Sequence, residues 1–508
     1  MKQRAYTKVW NRVPLFLQLM VLAALSTYIP ATHALINDNH SMSRSFFYAG
    51  TLGLILFGLV TTVLSSNRLK NDNFGQLLSL LAIFITAPIY FAVPVHDAAQ
   101  DTDFLNAYVD MVSAMTTTGV GLLGDIDQSN STLVLWRAMV AWMGGLVIWI
   151  SAAGILVPFG IDTFENNTIN TSYSDKRTIP QSGDSRNKFV DSARLLTPTY
   201  TALTIILWIL LVLVGEGSTI AVIHAMSIMS TSGISSVGGL ENASTGIIGE
   251  LLMAIFLLFA LSRLTFSVNF ATVQYIRIFK DPEFKLGLMI LAITSILLTS
   301  QSLNYYVDIS MANDVIQAMK LFWANIFTVL SFLTTTGFKS AEWSLAQSVS
   351  NLDPPGIILM GLALIGGGVA TTAGGVKLFR VYILYLNGMR EIERLIHPSS
   401  VANRTTGGWV INKNNAFVAW IFFMLFALSL AIITVLLSLL GINFQDSVLL
   451  TISMLSTTGP LIEVVSAGEL RLIDLTTEVK ILLAGVMILG RFETLVVIAL
   501  IGTESWRR

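Results

Sequence analysis

The 508-residue chain contains no cysteine. Disulfides and thiolate-held metals are therefore excluded. Charge is also scarce, with Asp, Glu, Lys and Arg together at 12 %, about half of what soluble domains carry. Net charge is −1, so no basic excess points to nucleic acid. The five histidines, His33, His40, His96, His224 and His397, form no metal-binding spacing. No P-loop, nucleophile elbow or dinucleotide fingerprint occurs. We expect no enzyme activity, no covalent cofactor and no nucleotide site, so a nucleotide would have to act through a partner subunit.

Apolar residues are abundant, at 54 % of the chain with a mean hydropathy of +0.70. A span needs about 20 apolar residues. Ten stretches qualify: about 13–36, 45–65, 76–96, 131–158, 195–215, 246–270, 286–303, 355–387, 415–440 and 478–502. The composition implies a protein embedded in the lipid bilayer. Lys2, Arg4, Lys8 and Arg12 before the first stretch imitate a signal peptide. The run is long for one, so we read it as a retained helix.

One pattern recurs four times: Ser113-Ala-Met-Thr-Thr-Thr-Gly119, Ser227-Ile-Met-Ser-Thr-Ser-Gly233, Ser331-Phe-Leu-Thr-Thr-Thr-Gly337 and Ser453-Met-Leu-Ser-Thr-Thr-Gly459. The copies lie roughly 100 to 120 residues apart. Each follows a short helix-like run, at about 104–116, 218–230, 315–333 and 444–456, and lies between two long apolar stretches. Such runs are too short or too polar to span and read as re-entrant half-helices. The expected fold class is an all-α membrane protein. Four pseudo-symmetric helix, pore half-helix, helix repeats surround one pore, after two N-terminal helices. The expected divisions are 1–70, 71–160, 161–280, 281–395 and 396–508.

Charge tests this threading. With a cytoplasmic N-terminus, Lys and Arg collect on the inside, and the outer segments hold only Arg44, Lys320, Lys339, Arg471 and Lys480, with Arg137 near the boundary. That bias is what the positive-inside rule expects. The outer segments are acidic, with Asp110, Glu216, Glu241, Glu250 and Glu342 among many others. Such a vestibule would concentrate cations.

A lone Thr-Thr-Gly reads as an ordinary helix C-cap, but four copies in register read as a ring. Rings of backbone carbonyls replace the hydration shell of a cation. Glycine permits the backbone to turn carbonyls inward. The candidate filter residues are Thr117, Thr118, Gly119 and Val120; Thr231, Ser232, Gly233 and Ile234; Thr335, Thr336, Gly337 and Phe338; and Thr457, Thr458, Gly459 and Pro460. Potassium is the expected ion at these residues.

Two further features stand out. Gly366-Gly-Gly-Val-Ala-Thr-Thr-Ala-Gly-Gly-Val-Lys377 interrupts the stretch at 355–387. Close helix packing through small residues is one reading. The run is too long for one straight span, so we expect a broken helix with an intramembrane loop. Arg491 stands near the middle of the last stretch, where a charge is costly and faces a cavity or a partner. Glu493 is two residues away and so faces a different side of the helix.

With these motifs the whole chain resembles the Trk/Ktr/HKT superfamily of potassium transporters, and its TrkH-like bacterial branch in particular. The resemblance implies potassium uptake across the cytoplasmic membrane, with glycine in all four filters favouring potassium. It implies that Gly366, Gly367, Gly368, Thr371, Thr372, Gly374, Gly375, Lys377 and Arg491 gate the pore. It also implies a homodimer and a cytoplasmic, TrkA-like ring of nucleotide-binding regulatory subunits. Thr231-Ser-Gly-Ile234 and Thr457-Thr-Gly-Pro460 depart from the family's usual second and fourth filters. Lys339 beside the third filter would repel cations unless Glu342 or another acid pairs with it. Arg263 falls where the family is normally uncharged. Two rival readings are an alternating-access cation symporter and a non-conducting regulatory or scaffold member.

Overall fold

A computed structural model of the chain describes residues 15–64, 73–99, 102–122, 130–152, 185–262, 281–307, 314–343, 356–369, 371–397, 405–406, 409–410, 413–466 and 470–492. The first span is helix α1 (Leu15–Ser26) followed by α2 (Tyr28–Ile36), with a break at Thr27. Pro30 explains the break, because it has no N–H to offer the Ser26 carbonyl. Helix α3 (His40–Leu64) completes the N-terminal extension.

Four repeats follow. The first is α4 (Asn73–Ala98), pore helix α5 (Phe104–Met115) and α6 (Ser131–Ser151). The second is α7 (Ser185–Val214), pore helix α8 (Ser218–Ser230) and α9 (Gly246–Leu258). The third is α10 (Pro282–Val307), pore helix α11 (Asp314–Leu333), α12 (Gly356–Ile365) and α13 (Leu378–Ile396). After a two-residue strand pair, Thr405–Thr406 with Trp409–Val410, come α14 (Lys413–Leu439), pore helix α15 (Phe444–Leu455), the short α16 (Leu461–Val465) and α17 (Thr477–Phe492). The four expected half-helices and the helix pairs around them are all present.

Packing closes these repeats into a ring. Helix α6 of repeat one packs on pore helix α8 of repeat two, and α9 packs on α11. Helix α12 packs on α15, and α17 of repeat four returns to α5 of repeat one. Every second helix thus supports the next pore helix, and the last supports the first. Among the described residues, seven segments are long and apolar enough to cross a membrane. Burial sorts them. The α6 window is 83 % buried, whereas the windows of α3, α7 and α14 are each 22 % buried. Helix α6 is walled in by protein, and the other three present apolar side chains such as Leu59, Ile209 and Val435 outward. An apolar exterior fits lipid as its solvent.

Two expected boundaries move. Helix α7 begins at Ser185, ten residues before the expected start, and carries an Arg194–Asp191 pair in its first turns. The stretch at 246–270 ends early, passing from α9 into a 3-10 turn at Phe259–Leu261 and an extended Ser262. Arg263 lies outside the described residues. The stretch at 355–387 is broken between Ile365 and Leu378.

Small residues set the approach of the second helices to the pore helices. A methyl group on Gly144 would overlap the Met115 carbonyl at the end of α5. One on Gly490 would overlap the Leu455 carbonyl at the end of α15. Repeats one and four thus use the same device. Gly144→Ala and Gly490→Ala should each lower stability by about 1–3 kcal/mol through overpacking. Thermal unfolding in detergent checks this, with Gly485→Ala, which meets nothing within 4 Å, as the neutral control.

Candidate functional site

All four pore helices end in one turn geometry. The Ser that begins each motif accepts an N–H five residues on: Thr118 to Ser113 (2.8 Å), Ser232 to Ser227 (3.0 Å), Thr336 to Ser331 (2.8 Å) and Thr458 to Ser453 (2.8 Å). Inside each turn Thr117, Thr231, Thr335 and Thr457 donate to Ala114, Ile228, Phe332 and Met454. That pair of bonds is a Schellman cap, which needs a left-handed residue and usually takes glycine. Here the residue is Thr117 (φ 57°), Thr231 (53°), Thr335 (58°) or Thr457 (54°). A β-branched residue in that region is a genuine outlier, with a cost of about 1–3 kcal/mol each. Strain repeated four times at one motif position marks a site, not an accident of one loop.

The cap satisfies the helix but not the threonine. The carbonyls of Thr117, Thr231, Thr335 and Thr457 accept no hydrogen bond among the described residues, although each residue is buried. The hydroxyls of Thr117 and Thr457 are likewise buried without a partner. Those of Thr231 and Thr335 bond to the Ser230 carbonyl (2.7 Å) and the Gly374 amide (2.7 Å). One position further on, all four hydroxyls are partnered. Thr118, Ser232, Thr336 and Thr458 turn their hydroxyls to Thr116, Ser230, Thr334 and Ser456 at 2.9–3.1 Å.

The glycines bring the four strands together. A methyl group on Gly119 would overlap the Ser232 carbonyl, and one on Gly233 would overlap that of Thr336. On Gly337 it would meet Pro460 at 3.0 Å, and on Gly459 the Thr118 carbonyl at 2.5 Å. The contacts run from repeat one to two, two to three, three to four and four to one. They place all four motifs around one axis. The glycines are not equivalent, however. Gly119, Gly233 and Gly337 are left-handed (φ 77°, 68° and 85°), but Gly459 is not. Pro460 (φ −60°) begins α16 directly after Gly459, so the fourth strand turns into helix. Its Gly459 amide donates instead to Thr118 across the ring (2.7 Å).

Past the glycines, Val120, Ile234 and Phe338 are buried, and Ser113 Oγ donates to the Val120 carbonyl (2.9 Å). The mouth is braced by unlike groups. Asp110 pairs with Arg137 (3.1 Å) and accepts the Leu122 amide (3.1 Å). His224 Nε2 meets Ser235 Oγ (2.9 Å). Glu250 accepts Ser340 Oγ (2.9 Å), the Ala341 amide (2.5 Å) and Trp323 Nε1 (2.9 Å). Asp110, Glu216 and Glu250 are therefore buried in the fold and do not line an open vestibule. The sequence offered one hint: Asp110, His224 and Thr328, whose Oγ1 accepts the Ser340 amide (3.3 Å), each stand three residues before the motif serine. Lys339 pairs with Glu241 (3.7 Å), not with Glu342, which Lys320 takes at 2.9 Å.

The interruption at Gly366–Lys377 sits against the deep end of the strands. Gly374 donates to Thr335 Oγ1, and its Cα packs so closely on repeat four that a methyl group there would overlap the Ser456 carbonyl. Thr372 Oγ1 donates to the Met229 carbonyl (3.2 Å) of repeat two. Arg491 Nη1 donates to the Thr372 carbonyl (2.7 Å), while its Nε and Nη2 are buried without partners. Thr371 Oγ1 bonds to Gly368, and Lys377 Nζ donates to the Ala373 carbonyl. Gly366 (φ 73°) and Gly375 (φ 77°) shape the two bends. Glu493 lies outside the described residues.

Four strained, carbonyl-bearing turns on one axis, each held by a re-entrant helix between membrane helices, define a four-repeat cation-transport membrane protein. Residues 86–505 match TrkH, described as cation transport protein, so the chain belongs to the TrkH family. It is 27 % identical over 439 residues to the Trk system potassium uptake protein TrkH of Halomonas elongata, covering 85 % of this chain and 84 % of that one. It is 24 % identical over 503 residues to the protein of the same name from Escherichia coli K12, covering 96 % and 97 %. The fold matches the crystal structure of the potassium transporter TrkH from Vibrio parahaemolyticus with a TM-score of 0.82, at 22 % identity, over 98 % of this chain and 99 % of that one.

The braces differ in how much they bear. The Asp110–Arg137 pair is buried on both sides, whereas the Lys320 side chain is 41 % exposed. Breaking a buried pair costs about 3–5 kcal/mol, and an exposed one about 0–1 kcal/mol. Asp110→Ala should therefore lower the unfolding temperature markedly, and Glu342→Ala should leave it nearly unchanged in the same assay.

Proposed function

We propose that the chain takes up potassium through the ring of Thr117, Thr231, Thr335 and Thr457, with Thr118, Ser232, Thr336 and Thr458 above it. The observation that carries this reading is the set of four buried threonine carbonyls without hydrogen-bond donors. A carbonyl in that state is stabilised by a cation that gives up its water. The strain at each threonine holds the oxygens in place before the ion arrives. Names of the relatives point to the same ion. The bias of basic segments supports a cytoplasmic N-terminus and C-terminus with the filter mouth outside. The membrane potential then drives entry with about 2.3 kcal/mol per charge per 100 mV.

In this reading Gly366–Lys377 is the gate. It bonds to the filter threonine of repeat three and packs on that of repeat four, so ions pass only when it moves. Arg491 holds it through the Thr372 carbonyl and adds positive charge beneath the ring. The chain works as a homodimer with a cytoplasmic ring of nucleotide-binding subunits that moves the gate. The pairing of Lys339 with Glu241 removes the main argument for a pore disabled at its mouth.

Rubidium uptake into proteoliposomes, with sodium as competitor, tests the filter. Gly337→Ser meets the Pro460 ring first, at 3.0 Å, and strains a left-handed position but strikes no main-chain carbonyl there; it should conduct, with potassium preference over sodium reduced about tenfold, or ~1.4 kcal/mol. Gly119→Ser strikes a main-chain carbonyl and should lose flux as well as preference. Unchanged preference in a conducting Gly337→Ser protein would contradict the proposal.

A further inference from the structure

Two charged side chains reach the Gly366–Lys377 segment from other elements. Arg491 takes a carbonyl. The second is Glu283, whose Oε1 accepts the Val369 amide at 2.7 Å. Nothing in the local sequence calls for this. Asp281, Pro282 and Glu283 form an ordinary helix start, with Asp281 Oδ1 accepting the Glu283 amide (3.3 Å) and Pro282 at the first helical position. A first-turn acid is normally solvated and serves the helix dipole. Glu283 is instead fully buried, and its Oε1 accepts a backbone amide 86 residues away.

The corner around it is built from three elements. The Gly368 amide donates to the Ala260 carbonyl (2.9 Å) at the end of the 3-10 turn. A methyl group on Gly368 would lie 2.8 Å from the Leu261 carbonyl. Ser262 Oγ donates to Asp281 Oδ2 at 2.5 Å, tying the end of that turn to the start of α10. The early end of α9 thus makes room for the Gly367–Val369 bend. Among the described residues, the segment also bonds to Thr335, Met229 and Arg491, at or next to the filters. Glu283 alone among these ties it to the end of a spanning helix away from the ion path.

We propose that Glu283 is a positioning residue that latches the Gly366–Lys377 segment in its seated conformation, and that loss of the bond to Val369 frees the segment to leave the filters. The proposal rests on the reading of that segment as the gate. A carboxylate-to-amide bond is among the stronger neutral-to-ionic contacts in a buried setting. Because the Val369 amide that Glu283 holds is not a filter group, loss of that bond changes how often the pore opens and not which ion it prefers.

The test combines flux with accessibility. The chain has no cysteine, so Thr372→Cys supplies a single thiol at the seated segment. Glu283→Ala should raise rubidium flux several-fold, leave the potassium-to-sodium ratio unchanged and speed thiol labelling at position 372 by a similar factor. Glu283→Gln keeps an oxygen acceptor and should stay closer to wild type. Glu283→Asp keeps the charge but shortens the reach, and decides the question if the alanine variant does not fold. Faster flux and labelling in it support the latch, and wild-type values overturn it. Arg491→Ala separates the two levels of the argument. If it raises flux and labelling while the folded Glu283 variants do not, the latch is wrong and the gate stands. If neither substitution changes flux or labelling, the gate reading fails and the latch with it.

Discussion

A backbone carbonyl buried in a membrane protein without a donor is the constraint on which this structure depends. In lipid such a group is costly, so helices are the default and irregular backbone survives only where protein surrounds it. Here, among the described residues, four threonine carbonyls are left without donors at the same motif position. The surrounding architecture exists to hold them so. Each pore helix delivers one strand, each second helix buttresses the next pore helix, and the glycines remove the side chains that would keep the strands apart. A single repeat could not do this, because its strand would have no neighbours to close the ring.

Strain and preorganisation are connected in this arrangement. The left-handed turn at Thr117, Thr231, Thr335 and Thr457 would be easier with glycine. Glycine there would also leave the strand loose. A β-branched residue forced into the left-handed region has few alternatives once packed, so the oxygen positions are fixed by the fold. The two fixed charges that hold the interrupted helix differ in placement. Arg491 acts beside the ring, and Glu283 acts at the end of a spanning helix. If the segment is the proposed gate, one contact beside the ring and one away from it would let opening change without a change in selectivity.

Much of this was legible in the sequence because the repeat is legible. The four Ser…Gly motifs, the half-helices before them and the broken run at 355–387 all follow from spacing and composition, and the folded chain has them at the expected places. The sequence reading assigned the unusual backbone to glycine. Gly119, Gly233 and Gly337 do take it, but so does the threonine two residues earlier in every repeat, and Gly459 is not left-handed, because Pro460 commits the fourth strand to a helix. Local pattern cannot show that a residue's torsion is set by its neighbours across a ring. Acid counts took in three buried side chains for a related reason. Asp110, Glu216 and Glu250 belong to outer segments but are buried, and Glu342 pairs with Lys320 and not Lys339. The bond from the Val369 amide to Glu283 was invisible, since a helix-start acid looks the same whether it meets water or a distant amide.

The most direct test of the central claim is the position of bound rubidium, located by anomalous scattering in crystals grown with that ion in place of potassium. The account predicts density on the axis, at coordination distance from the carbonyl oxygens of Thr117, Thr231, Thr335 and Thr457. Rubidium absent from that ring while bound elsewhere in the membrane region would contradict it.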